Sequence, residues 1–164
     1  VIVNPSVIIG PGFWDSGCGS LFTKAAKGMR YYTSGVTGFV DVRDVVDSMT
    51  ELMESEINNE RFIVNAENIS YKDLFVKISE EVGVNAPKKE ASERILNTAV
   101  ILDLIASKLG IKKKEITKDV VRASLSKSNY SNKKITEAIG MSFLAIGQSI
   151  KETADKFKKE LIIS

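Results

Sequence analysis

The chain opens on an unbroken apolar, β-branched run, Val1-Ile2-Val3, that passes through Asn4 into Pro5. Without polar alternation, such a run predicts a buried parallel strand. A buried strand at residue 1 has no upstream neighbour to pair with, so the chain reads as cut from a longer protein. Glycines and Pro11 then mark a loop over residues 10–19, and the i, i+4 pairs Leu21/Ala25 and Phe22/Ala26 predict a helix from Ser20 to Lys27, stopped by Gly28. Met29 to Thr33 reads as a short strand, Gly35-Val36-Thr37-Gly38 as a turn, and Phe39 to Val42 as a strand or extended entry to the next helix. Asp44 is the expected cap of a helix whose apolar face is Val45, Val46, Met49, Leu52 and Met53. Glu60 to Ala66 alternates like a strand. Ser70, with Asp73 after it, starts a helix from Tyr71 to Val82 that aims Leu74, Phe75, Ile78 and Val82 at a core.

Beyond Pro87 the pattern turns helical and stays so: Ser92 to Leu109, Thr117 to Leu125, Asn132 to Ile139 and Ile146 to Leu161, with Gly110 and Gly140 as stops. Ile95, Leu96, Ala99, Leu102, Ile105 and Ala106 make the first of these helices apolar on more than one side, so it is expected at the centre of the packing. The fold class is therefore α/β, helix-rich with a few short strands.

Composition narrows the chemistry. With 164 residues, 43% hydrophobic and 27% charged, the chain is a globular unit able to bury one core. No stretch approaches the roughly 20 apolar residues of a membrane span, and the apolar start lacks the basic lead-in and cleavage site of a signal peptide, so a cytoplasmic location with no membrane partner is expected. There is no histidine, and Cys18 is the only cysteine. Disulfides, Cys/His zinc sites, histidine-based triads and imidazole bases are thereby excluded. Cys18 sits in the small-residue run Ser16 to Ser20 without a base partner and reads as an inert loop thiol. The net charge of +2 conceals a basic second half, with thirteen Lys and Arg against five Asp and Glu from Lys108 to Lys159. Lys112-Lys113-Lys114 runs at once into Glu115, and Lys133-Lys134 and Lys158-Lys159 lie on amphipathic segments, as on a solvated helical surface. No nucleic-acid partner is expected.

The segment Asn4-Pro5-Ser6-Val7-Ile8-Ile9-Gly10-Pro11-Gly12 joins a strand end to a rigid turn, where open α/β sheets bind ligands. Pro5 fixes its own φ and restricts Asn4, which suits an amide-bearing ligand. Here the sequence resembles the extended short-chain dehydrogenase/reductase family, also called NAD-dependent epimerase/dehydratase, one of whose sheet strands ends in Pro-x-x-x-x-Gly-Pro-Gly. Thr37 to Val45 resembles the family's aromatic-Val-x-Val-x-Asp-Val signature, and Arg61 to Val64 followed by Ser70 resembles its next strand and helix. Ser131 to Gly140 with Ile146 to Phe157 resembles its closing helices.

The resemblance implies a C-terminal, substrate-binding portion of an extended Rossmann-type protein. Residues 1–12 would be the last part of the dinucleotide-binding sheet and its turn, 13–86 a mixed strand/helix region and 87–164 helical. It further implies NAD or NADP as the parent's cofactor, with Pro5, Ser6, Val7, Ile8 and Ser20 touching it and Gly19 and Thr23 facing a small-molecule substrate. The family's Gly-x-x-Gly-x-x-Gly phosphate loop is not in this sequence, and its Tyr-x-x-x-Lys does not precede the Pro5 strand. Tyr130 and Lys134 have that spacing but lie far downstream, in the wrong order. Catalytic and metal residues are therefore expected to be none, with the chain inactive alone and self-associating through uncovered apolar surface. Thr37-Gly38 stands where nucleotide-sugar enzymes of the family carry an arginine for the diphosphate. That departure favours a reductase of small carbonyl compounds, resembling dihydroflavonol reductase, over a nucleotide-sugar epimerase/dehydratase. From other classes, a helical protein-interaction module using Ser92 to Leu109 and a basic nucleic-acid binder are the alternatives.

Overall fold

The computed structural model describes residues 1–108, 110 and 117–163. In chain order the elements are β1 Ile2–Pro5, β2 Val7–Ile9, α1 Gly19–Ala26, β3 Tyr31–Tyr32, β4 Val36–Asp41, α2 Val42–Glu54, β5 Arg61–Val64, β6 Glu67–Ser70, α3 Tyr71–Val82, β7 Lys89–Glu90, α4 Glu93–Lys108, α5 Lys118–Leu125, α6 Lys133–Ile139 and α7 Ile146–Ile163. β1 pairs parallel with β5, β2 parallel with β4, β4 antiparallel with β6, and β3 parallel with β7.

Two of these sheets meet at a fork. Ser6 alone separates β1 from β2, and Asn65-Ala66 separates β5 from β6. At those residues the two chain segments change partners: Ser6 N donates to Val64 O at 2.9 Å, and Ala66 N donates to Phe39 O at 2.9 Å. Neighbouring residues of β4 then serve opposite layers, because strand side chains alternate. Phe39 enters a core with Ile9, Phe22, Leu74, Ile78, Ile150 and Phe157, under α1, α3 and α7. Val40 enters another with Val45, Leu52, Phe62, Val64 and Ile135, under α2 and α6.

Local chemistry sets the helix boundaries. Ser70 accepts from Asp73 N and caps α3, and Gly83, at φ 79°, closes it. Gly140, at φ 67°, closes α6 in the same way. The α/β, helix-rich class expected from the pattern is observed.

Several expectations are corrected. β1 is parallel but not buried: Ile2 is 51% exposed, because among the described residues the strand pairs with β5 alone. The expected turn at Gly35 to Gly38 is the start of β4, and its glycines answer to crowding rather than to chain reversal. A Cβ at Gly35 would stand 2.4 Å from Ser124 O, and one at Gly38 would stand 2.1 Å from Asn65 Oδ1. The cap of α2 is Asp41, not Asp44; Asp41 Oδ1 accepts from Arg43 N, while Asp44 lies buried in the first turn. Of the face assigned to α2, Val45 and Leu52 are buried, whereas Val46, Met49 and Met53 face outward. The short strand β6, with Ile69 as its single apolar residue, lacks an alternating pattern and is held by pairing with β4.

The largest departure is α4, whose expected central position is overturned. Asp103 is its buried residue, and Ile101, Leu102 and Ile105 are 58%, 61% and 49% exposed. A stripe needs an opposing surface, and the main neighbour of α4 is α5. Leu109 and the run Lys112 to Glu115 lie outside the described residues.

Candidate functional site

The fork opens a groove of about 640 Å³ at the C-terminal end of β1, lined by Asn4, Pro5, Ser6, Val7, Thr37, Arg61, Ile63 and Tyr130. Ile2 N and Ser6 N both donate to β5, so the nitrogen of Pro5 faces the opposite, open edge of β1, where its missing N–H leaves the ladder intact. Ser6 Oγ is buried without a hydrogen-bond partner on this wall, and Asn65 Oδ1 is likewise unpaired behind it. Gly38 lets the segments converge, since its Cβ would also meet Ser6 Cβ and Tyr130 Cδ2 at 2.9 Å.

Three asparagines hold Tyr130 at the groove. Asn65 Nδ2 and Asn68 Nδ2 donate to Tyr130 O at 3.2 and 2.8 Å, and Tyr130 N donates to Asn68 Oδ1 at 2.9 Å. Asn132 Nδ2 donates back to Asn65 O at 2.8 Å. Sequence reasoning missed this clamp, because its members lie more than sixty positions apart and no local spacing marks them. Tyr130 precedes α6 and does not pair with Lys134. Lys134 Nζ instead binds Glu60 at 2.6 Å and the Arg61 carbonyl at 2.9 Å, 4.9 Å from the centre of the Phe62 ring.

Of the residues assigned from the sequence, Pro5, Ser6 and Val7 come together on this wall. Ile8 follows in β2, 36% exposed and outside the groove lining. Gly19, Ser20 and Thr23 lie in α1, beyond the Gly10-Pro11-Gly12 loop. Gly19 is buried with Phe13 O where a side chain would be, at 2.4 Å from its Cβ position. Ser20 Oγ donates to Gly17 O at 2.8 Å, and Thr23 Oγ1 donates to Trp14 O at 2.7 Å. Both hydroxyls keep lone pairs for another donor. Burial pushes the Cys18 thiol up to about 11, so it is nearly all thiol near neutrality.

At the far end of β4 from the groove, a polar cluster ties β4 and α2 to α7. Burial alone would raise the Asp41 carboxyl, but bonds from Arg43 and Ser149 hold it below the usual carboxylate value. Arg43 Nε lies 2.8 Å from Asp41 and its Nη1 2.8 Å from Glu152, and Ser149 Oγ donates to Asp41 at 2.5 Å. Asp44 is raised by burial, although Leu144 N donates to it at 3.0 Å. These groups are spent on one another and brace the sheet.

Fold and groove define an α/β unit with a forked sheet whose cleft lies at the end of a parallel strand. No family model matches the chain. It is 31% identical over 105 residues to "Sterol demethylase protein B" of Methylococcus capsulatus, covering 62% of this chain and 31% of that protein. It is 26% identical over 167 residues to a Synechocystis protein named "Putative dihydroflavonol 4-reductase", covering 96% of this chain and 48% of that one. A nucleoside-diphosphate-sugar epimerase from Pseudomonas aeruginosa superposes with a TM-score of 0.73 at 20% identity, over 97% of this chain and 48% of the epimerase. Other structures of the same fold are complexes with NAD or NADPH. The resemblance to the extended short-chain dehydrogenase/reductase family holds, and the chain spans about a third and about half the length of these two curated relatives.

Proposed function

We propose that the chain is the C-terminal, substrate-binding portion of an NAD(P)-dependent oxidoreductase acting on a small carbonyl or alcohol. Residues 1–12 complete the dinucleotide-binding sheet, 13–86 form the mixed region and 87–164 the helical one. The observation that carries this reading is the meeting of Pro5, Ser6 and Val7 in one groove, with Ser6 Oγ buried and unpartnered on its wall. An unmet buried hydroxyl costs on the order of 1 to 3 kcal/mol, and an amide-bearing ligand relieves it.

Bound NAD(P) would supply the hydride. Pro5 to Ile8 would hold the amide end of that cofactor, and Ser20, at the start of α1, would turn its oxygen toward the phosphates. Gly19 and Thr23 would face the substrate. The tyrosine and lysine that move the proton in the family would come from the other half of the parent. Thr37-Gly38, in place of an arginine, supports the carbonyl substrate over a nucleotide sugar. The nucleotide-sugar reading is the second, supported by the epimerase of the same fold.

The chain alone should bind NAD(P) feebly and turn nothing over. Two or three hydrogen bonds supply about 1 kcal/mol each, against the roughly 8 kcal/mol of micromolar affinity. In the full-length parent, Ser20→Asp should weaken cofactor binding by about 1 to 3 kcal/mol, as expected for an uncompensated charge beside a phosphate. Calorimetry with NAD and NADP on the chain, the parent and the variant decides this. Micromolar binding by the chain alone, or an unaffected variant, would overturn the assignment.

A further inference from the structure

Residues far apart in the chain crowd one point of the fork. A Cβ at Gly38 would lie 2.1 Å from Asn65 Oδ1 and 2.9 Å from both Ser6 Cβ and Tyr130 Cδ2, so only a bare backbone lets the side chains of Ser6 and Tyr130 stand side by side there. The arrangement is costly. Asn65 is 2% exposed, and its Oδ1, like Ser6 Oγ, is buried without a hydrogen-bond partner. Buried polar atoms are nearly always paired, so two unmet ones in contact with one residue call for a reason. What they accompany is the fixed position of Tyr130. Asn68, opposite Gly38 in the β4–β6 ladder, holds the Tyr130 N–H and carbonyl at once, and Asn65 Nδ2 adds a second donor to the same carbonyl. Side-chain bonds thus replace a ladder for a residue that lies between α5 and α6, outside helix and strand. They fix the backbone alone. The side chain of Tyr130 meets Gly38 by its ring edge, lines the groove and stays 39% exposed, whereas a ring that served the core would be covered.

We infer that Tyr130 contacts the cofactor, its ring packing against the amide-bearing ring that Ser6 engages, and that Asn68 is a positioning residue acting through it. This role rests on the cofactor reading given above and adds a residue that lies far from the Pro5 to Ile8 motif in the chain. Aromatic rings favour offset or edge-to-face contact, which a tyrosine held beside Ser6 offers to a planar group entering the groove. Holding the backbone in place beforehand also removes an ordering cost from binding. The contact concerns the nicotinamide end only, so the adenine and phosphate end of the same ligand should not sense it.

The test is calorimetry on the full-length parent with NAD and NADP, each set against the fragment that lacks nicotinamide, ADP-ribose or its phosphorylated counterpart. Tyr130→Leu keeps bulk and loses the aromatic ring; it should weaken the dinucleotide that the parent binds by about fivefold and leave the matching fragment within about twofold. Tyr130→Phe should restore most of that loss. Asn68→Ala should weaken the dinucleotide by about threefold, again without the fragment. Because Asn68 is exposed and lies outside the groove lining, this variant decides the matter even where Tyr130→Leu does not fold. An equal loss for dinucleotide and fragment would mark a structural effect, and an unchanged dinucleotide affinity would put Tyr130 outside the cofactor site. Either result overturns the role of Tyr130 and leaves the cofactor reading standing, as would a Tyr130→Phe variant as weak as Tyr130→Leu. A parent that binds neither NAD nor NADP removes both.

Discussion

Leu74 in α3 and Leu102 in α4 are leucines on apolar stripes of regular helices, yet Leu74 is fully buried and Leu102 is 61% exposed. α3 lies against the three-stranded sheet between α1 and α7, and its stripe finds Phe39, Phe22 and Ile150 opposite. Among the described residues, the element that α4 meets most is α5. The contrast teaches that helical periodicity specifies a face and not its partner. Where a sheet stands opposite, the face becomes core. Where none does, it remains a surface with its own chemistry.

The largest expected effect tests the buried side of this contrast. Leu74→Ala should cost about 2 to 5 kcal/mol, because the cavity would sit among side chains fixed by three elements. Urea unfolding followed by circular dichroism measures it, and a loss below about 1 kcal/mol would mean that this core collapses around the gap.

An intermediate effect concerns the cluster that braces the same region. Asp41→Asn keeps a cap-competent side chain but loses the charge that faces Arg43, for an expected loss of about 1 to 2 kcal/mol near neutral pH. The sign of the pH dependence follows from the depressed Asp41 carboxyl. Its contribution is present above the ordinary carboxylate value of about 3.9 and disappears as the pH falls through the lower folded value. Asp44, raised by burial, acts oppositely: it accepts its proton more readily in the folded state, so acidification through its range favours folding. The gap between the parent sequence and Asp41→Asn should therefore narrow in acid. A gap constant from neutral pH down to below about pH 3 would remove the charge from the explanation.

The smallest effect sharpens the exposed side. Leu102→Ala should shift stability by no more than about 0.5 kcal/mol, as surface substitutions do. The same urea titration reads it, and a loss above about 1.5 kcal/mol would make α4 part of a core after all and end the contrast.

The parts legible in the sequence are those set by near neighbours. The helix Tyr71–Val82 is read correctly because Ser70, Asp73 and the stripe of Leu74, Phe75 and Ile78 are all within it. The strand through Phe39 and Val40 is legible for the same reason, although its glycine start is not. Gly38 looks like a turn residue along the chain and is a crowding residue in space, since what excludes its side chain comes from Asn65, Ser6 and Tyr130. In the groove, Pro5, Ser6 and Val7 are legible through a contiguous motif. Tyr130 and its asparagine clamp are not, because they meet only when the segment after α5 returns to the fork.

By itself, then, the sequence determined the helix-rich α/β class, the capping of α3, the lack of imidazole chemistry and the loop at Gly10-Pro11-Gly12, all of which depend on residue identity and short spacing. Only the tertiary structure decided that the sheet forks at Ser6 and Asn65, that Asp41 rather than Asp44 caps α2, and that α4 turns its apolar stripe outward. Those outcomes depend on which surfaces come opposite one another, and hydrophobic patterning carries no address for its partner.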